Sequence, residues 1–118
     1  DHRHAGFLAV DGIVAARDPH FFPEQALPHH RPEALLLFEA DEPDHVEDVA
    51  GFADAKLAAL HAHTSQLLST MGIDRTAGPS EVERQREAFD AGTLAQLAEH
   101  GQLEGVAQGE AFKLIDDI

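Results

Sequence analysis

The stretch EALLLFEA, from Glu33 to Ala40, decides the predicted fold class. Its central apolar run lies between Pro32 and an acidic segment that begins at Asp41, a pattern typical of a buried strand. A continuous apolar run also fits a short helix, so the pattern favours a strand without excluding a helix. The weak alternation of HVEDV, from His45 to Val49, predicts a second extended segment.

Helical patterns flank these strands on both sides. Apolar residues recur every three or four positions from His4 to about Arg17, and Pro19 ends that helix. A second helix is predicted from Phe52 to Leu68, with Gly72 just beyond its C-terminus. Its apolar stripe consists of Ala53, Leu57, Leu60, Thr64, Leu67 and Leu68.

A third helix is predicted from a capping box, in which Ser80 caps the first turn and Glu83 reaches back to it. It is expected to run toward His100 and stop at Gly101, with Gly92 as a point where it breaks in two. The tail predicts a terminal strand over Ala111 to Ile115. Helices and strands therefore alternate along residues 1–118, which predicts one α/β domain.

The segment between the first helix and the first strand, Asp18 to Glu33, carries four prolines in sixteen residues. Proline at this density suppresses regular structure and predicts a long loop. Loops of this length in compact domains are often functional. Its adjacent histidines, His29 and His30, are expected to be exposed to solvent.

Composition excludes several classes of partner. Acidic residues outnumber basic ones by 22 to 8, giving a net charge of −14, and such a surface repels nucleic acid and anionic lipid. No apolar run approaches the roughly 20 residues of a membrane-spanning helix. The chain has no cysteine, which suits a reducing compartment, so a cytoplasmic location is expected. Homo-oligomerisation is compatible with the sequence.

Without cysteine, any metal site must use histidine and carboxylate ligands, and the chain has nine histidines. Two pairs have His-x-His spacing, His2/His4 and His61/His63. Residues two apart on a helix point about 200° apart, so neither pair is expected to chelate one ion from within a helix. Hydrogen-bonded or solvated boundary histidines are the alternative, and spacing alone favours that alternative for His61 and His63.

The strongest candidate for acid and base chemistry is DEPDH, from Asp41 to His45, because carboxylates and a histidine at the end of a strand can line a pocket. A plain acidic turn is the alternative that spacing favours. The sequence contains no glycine-rich phosphate loop, no Gly-x-Ser-x-Gly elbow and no His-Glu-x-x-His helix. The residues alone therefore indicate an acidic α/β domain that is a candidate for a histidine and carboxylate metal site.

Several stretches, taken in order, resemble the C-terminal half of the LmbE-like, or PIG-L, zinc-dependent N-deacetylases. DHRHAG resembles the end of the family's His-Pro-Asp-His-Arg motif, and AARDPHFFPE is similar to the segment that follows the next helix. FEADEPDHVEDV and KLAALHAHTSQL resemble two further family segments, and GEAFKLI is similar to the terminal one. The resemblance covers nearly the whole chain and implies a Rossmann-like α/β fold.

The resemblance also implies site residues. By this match His2 is a Zn²⁺ ligand, Asp1 holds a neighbouring histidine in place, and Arg3 completes the motif. The candidates for the substrate pocket are Arg3, His45, His63, Ser65 and Gln66. The family has Asn where this chain has Asp44, and its other two zinc ligands and general base belong to an N-terminal motif that these 118 residues lack.

The resemblance therefore predicts that the chain is the C-terminal segment of a single deacetylase domain and supplies half of its site. The expected partners are the missing N-terminal segment and a small N-acetylated sugar, whose acetamide bond is hydrolysed with zinc as cofactor. Without that segment the chain is expected to be inactive. One alternative is a non-catalytic interaction domain that keeps the scaffold without the metal site, and another is a histidine-rich metal buffer that binds several ions per chain.

Overall fold

The computed structural model describes residues 1–118. Five helical segments and three strands make up the chain. In chain order they are α1 (His2–Arg17), a short 3-10 helix (Pro23–Gln25), β1 (Leu35–Phe38), β2 (His45–Asp48), α2 (Ala53–Ala62), α3 (Leu67–Met71), α4 (Pro79–Gln102) and β3 (Gly109–Ile115). No helix combines the length and apolarity that crossing a lipid bilayer requires.

All three predicted strands are present, and they form one sheet in the order β1-β3-β2. Strands β2 and β3 pair antiparallel, with His45 opposite Phe112 and Asp48 opposite Gly109. The prediction that β1 is buried is wrong, because three of its four residues are exposed and Leu35 is only partly buried. The run of apolar residues thus identified the strand correctly but not its environment.

The chain divides into two compact units, residues 1–37 with 114–118, and residues 38–113. In the first unit, α1 begins at His2 rather than His4 and ends at Arg17, before Pro19. No residue of this helix is buried, and only Ile13 and Ala15 are partly buried. Its exposed large side chains are Phe7, Leu8, Val10 and Val14.

The single helix predicted over residues 52–68 is wrong, because the chain forms two helices there. Helix α2 ends at Ala62, and α3 begins at Leu67 after a turn. Because the helix is interrupted, Thr64 and Leu68 leave the apolar stripe and are exposed, whereas Leu67 is buried. Gly72 ends α3 with a left-handed φ of 69°, as its position predicted.

Helix α4 is continuous from Pro79 to Gln102, so Gly92 does not break it. The predicted capping box is absent, because Gly78 occupies the N-cap position and Ser80 lies inside the first turn without a capping hydrogen bond. Proline at the first helical position explains the start, since its ring fixes a helical φ and the missing N–H has no partner there in any helix.

The core of the second unit lies where α2, α3 and α4 meet. Leu67, Met71 and Ile73 form a buried cluster, and Leu60, Val82 and Phe89 pack against it. Farther along α4, Leu97 is 1% exposed. This core holds α2, α3 and α4 together, and so positions the side chains that these helices carry.

Candidate functional site

The N-terminus of α1 carries the residues that the resemblance assigns to the metal. Asp1 is the N-cap residue, and its carbonyl accepts a hydrogen bond from the N–H of Ala5 at 3.0 Å. Its carboxylate makes no capping bond, and His2 is exposed in the first turn. Both side chains are therefore free of partners within the chain, and the positive end of the helix dipole favours a carboxylate at this position.

Arg3 has a partner on its own helix. Its guanidinium carbon lies 5.4 Å from the centre of the Phe7 ring, one turn away, which is a cation–π contact. His4 is exposed like His2 but lies on a different side of α1, as predicted. The first turn thus presents one face with His2 and another with His4.

The acidic cluster DEPDH forms the connection from β1 to β2. The Asp44 carboxylate accepts a hydrogen bond from the Lys113 ammonium and, by that bond and by its charge, raises the pKa of Lys113. His45 begins β2, and its Nε2 lies 2.7 Å from Oε1 of Glu47 on the same strand. The cluster therefore behaves as an ion-paired turn, the alternative that spacing favoured, and His45 has a local partner.

The candidates His63, Ser65 and Gln66 lie in the turn between α2 and α3, and all three are exposed. The backbone N–H of Gln66 donates to the carbonyl of His63 at 2.8 Å, which closes the turn. The Gln66 side-chain oxygen accepts a hydrogen bond from the Thr70 hydroxyl at 3.1 Å. Gln66 therefore has a structural role at the start of α3, whereas the His63 and Ser65 side chains have no partner in the chain.

The pair of His61 and Asp90 could not be identified from the sequence. Nε2 of His61 on α2 lies 2.6 Å from Oδ1 of Asp90 on α4, and the Phe89 ring packs edge-on against the imidazole. An ionised aspartate accepts from Nε2–H, which leaves Nδ1 as a lone pair that is buried without a partner. The pair therefore links α2 to α4, with Nδ1 enclosed rather than directed at solvent.

The proline-rich loop and the end of α1 enclose a cavity of about 420 Å³ in the first unit. Small residues on the helix, Gly12, Ala15 and Ala16, leave room for Phe21 and Phe22 of the loop. The N–H of His30 donates to the Ala16 carbonyl at 2.7 Å and holds the loop against the helix. The side chains of both His29 and His30 are exposed, as predicted.

No group of three or more histidine, aspartate or glutamate side chains is placed to hold a metal ion. Zinc requires three or four nitrogen, sulfur or oxygen ligands, and the resemblance assigns only His2 to it in this chain. The residues present therefore do not form a zinc site by themselves. The metal-buffer hypothesis, which needs several such groups, finds none in the structure.

No family model matches the chain. A sequence comparison and a structure comparison each find a diacetylchitobiose deacetylase that is similar to it. Over 69 residues the chain is 32% identical to the diacetylchitobiose deacetylase of Thermococcus kodakarensis, a match that covers 56% of this chain and 26% of that protein. The solved structure of N,N'-diacetylchitobiose deacetylase from Pyrococcus horikoshii, in complex with its inhibitor MPG, matches with a TM-score of 0.67. That match has 23% identity and covers 98% of this chain and 39% of that one.

The chain shares the fold of part of that solved structure. This finding confirms the α/β prediction. The chain spans about a quarter of the length of the curated relative and about two fifths of the solved one. The activity of the relatives therefore bears on this protein only as a proposal.

Proposed function

We propose that this chain is part of an enzyme that hydrolyses the N-acetyl group of an amino sugar. The observation that carries the proposal is that two different comparisons, one of sequence and one of structure, both lead to diacetylchitobiose deacetylases. The order of the motif-like segments along the chain supports the same assignment. A cytoplasmic location is part of the proposal and rests on the absence of cysteine.

We further propose that the active site is completed by residues outside these 118, as in a Rossmann-like domain of which this is the C-terminal segment. The exposed apolar residues of α1 support this view, because soluble proteins seldom leave a contiguous apolar helix face open to water. The limited share of the relatives that the chain spans supports it too. The small N-acetylated sugar and the segment that completes the site are then the two partners.

Zinc dependence belongs to the proposal with His2 as the contribution of this chain. Zinc bound in such sites supplies an activated water and polarises a carbonyl. The part of His2 is to present one imidazole nitrogen from the rigid first turn of α1. The part of Asp1 is to accept the N–H of a neighbouring ligand and fix its orientation, for which its unpaired carboxylate is suited.

The experiment compares His2→Ala with His4→Ala in the natural polypeptide or complex that contains this chain. We expect His2→Ala to lose stoichiometric zinc and to reduce acetate release from N,N'-diacetylchitobiose by more than about 100-fold. We expect His4→Ala, which removes an equally exposed imidazole two residues away, to retain both. Zinc is measured by elemental analysis and acetate by an enzyme-coupled assay.

If His2→Ala keeps its zinc and its activity, the assignment of His2 is wrong. If the unmodified protein releases no acetate and binds no zinc, the non-catalytic scaffold is the better description. The scaffold has one observation in its favour, since His45 and Gln66 already have structural partners that explain their presence.

A further inference from the structure

The second unit contains a cavity of about 410 Å³ that none of the residues discussed as catalytic lines. Its volume falls within the range of small-molecule sites, about 300–1,000 Å³. Parts of β1, α2, α4 and β3 contribute to it, together with the turn that follows β1. The aromatic, charged and polar side chains that line it are Phe38, Glu39, Lys56, Gln96, His100 and Glu110.

Three of these residues have charges or hydrogen bonds already engaged. The Lys56 ammonium forms an ion pair with the Glu110 carboxylate, which neutralises both. Nδ1 of His100 accepts a hydrogen bond from the backbone N–H of Ala111 at 3.3 Å. The neutral ring therefore carries its proton on Nε2, and this N–H is left as a donor without a partner in the chain.

Glu39 is the unusual member of the cavity. Its φ of 53° lies in the left-handed region, which residues other than glycine and asparagine seldom adopt. Its carboxylate has no ion pair or hydrogen bond within the protein. Strained residues of this kind cluster at ligand clamps, where the surrounding structure holds them in place. Beside it, the ring of Phe38 is 71% exposed, although it ends a strand of apolar residues.

These features together describe a saccharide site more closely than any other class. An exposed aromatic ring supports the apolar C–H face of a sugar, and carboxylate, amide and imidazole groups bond its hydroxyls. Because Lys56 and Glu110 neutralise each other, the Glu39 carboxylate leaves one negative charge in the cavity. That charge favours a sugar with a protonated amine over a neutral one.

We propose that this cavity binds a hexosamine unit with a free amino group, using Glu39 for the ammonium and Phe38 for the sugar face. The inference rests on the proposed function only in that deacetylation of an N-acetylhexosamine yields such an amine. In that setting the cavity is a subsite for the deacetylated unit of an oligosaccharide. It requires neither bound metal nor catalysis.

The test is titration of the intact, metal-free protein with glucosamine, N-acetylglucosamine and glucose at pH 6, followed by amide chemical shifts or calorimetry. We expect glucosamine to bind with Kd on the order of 1 mM, the range of single small polar ligands, and about tenfold more tightly than the two neutral sugars. Glu39→Gln should abolish that preference. Phe38→Ala should weaken binding of glucosamine about tenfold.

Two exposed residues of the same unit serve as controls, since neither lines the cavity. Glu104→Gln removes an exposed carboxylate elsewhere in the unit, and Phe52→Ala removes a comparably exposed ring. Both should bind glucosamine like the unmodified protein. Equal binding of glucosamine and glucose, an unchanged preference in Glu39→Gln, or loss of the preference in Glu104→Gln would each overturn the proposal.

The outcome is independent of the His2 experiment. Glucosamine binding without acetate release would leave this site standing and remove the deacetylase proposal. Acetate release without glucosamine binding at this cavity would do the reverse. Circular dichroism of Glu39→Gln and Phe38→Ala establishes that each variant is folded, so that lost binding reports on the site.

Discussion

Replacing Gly101 by alanine tests how closely α4 approaches the turn that connects it to β3. A Cβ atom built at Gly101 would lie 2.6 Å from the carbonyl oxygen of Val106 and 3.1 Å from the backbone nitrogen of Gln108. The Val106 N–H also donates to the Gly101 carbonyl at 2.9 Å, so the turn between α4 and β3 folds directly over this position. These atoms belong to the backbone and cannot rotate away as a flexible side chain would.

The expected magnitude is the difference between two effects. Alanine is favoured over glycine within a helix by about 1 kcal/mol. Overpacking of this kind costs about 1–3 kcal/mol and more where backbone must shift, and here three backbone atoms lie within 3.2 Å of the new Cβ. We therefore expect Gly101→Ala to lower the free energy of unfolding by about 1–2 kcal/mol, a decrease in Tm of roughly 4–16 °C for a domain of this size.

Gly92→Ala is the matched control, because Gly92 lies in the same helix and a Cβ there meets nothing within 4 Å. It gains the helix preference without the clash and should raise the free energy of unfolding by about 0.5–1 kcal/mol. Urea unfolding of both variants, followed by circular dichroism, measures the two changes. If Gly101→Ala stabilises the protein as much as Gly92→Ala does, the close approach described here is wrong.

Two further predictions concern charge. The carboxylate of Asp74 accepts hydrogen bonds from the hydroxyl and the N–H of Thr76, which lower the pKa of Asp74. A lowered pKa in the folded state contributes stability that is present at neutral pH and is lost as the pH falls below about 4. In urea titrations, the free energy of unfolding should therefore fall less on acidification in Asp74→Asn than in the unmodified protein. An equal fall in both proteins would contradict this. Secondly, the net charge of −14 implies self-repulsion that salt screens, so the urea midpoint should rise between about 0.05 and 0.5 M NaCl, and a flat or falling midpoint would count against it.

Periodicity predicted the kind of each element better than its limits. The strands at residues 35–38, 45–48 and 109–115 and the helices α1 and α4 were found close to where the sequence predicted them. The end of the helix at Ala62 was not predictable from that spacing, because Leu67 and Leu68 continue the same apolar stripe in the sequence. Leu67 reaches the core only by starting a new helix, and this depends on Met71 and Ile73, which pack around it in three dimensions.

Glycines show a second limit of the sequence. Gly92 and Gly101 both suggested a helix end, yet α4 continues through each of them. At Gly92 nothing requires glycine, whereas at Gly101 the backbone of residues 106–108 excludes a side chain. The same is true of Gly109, whose Cβ would meet the side chain of Val46 at 2.5 Å. The reason for glycine at these two positions is a tertiary contact that spacing along the chain does not encode.

The candidate site residues also divide into those that have a side-chain contact within the chain and those that have none. His45 has Glu47, Gln66 has Thr70 and Arg3 has Phe7, so each of these is explained within the chain. The pair of His61 and Asp90 was not predictable, because its members are 29 residues apart and meet only when α2 packs on α4.

The side chains of Asp1 and His2 have no partner within the chain, so the effect of replacing His2 can be separated from an effect on folding. A side chain that is exposed and forms no contact contributes little to folding, so His2→Ala should leave the free energy of unfolding unchanged within about 0.5 kcal/mol. A loss of zinc or of acetate release in that variant then cannot be attributed to misfolding. It would instead indicate that His2 belongs to a metal site that residues outside these 118 complete.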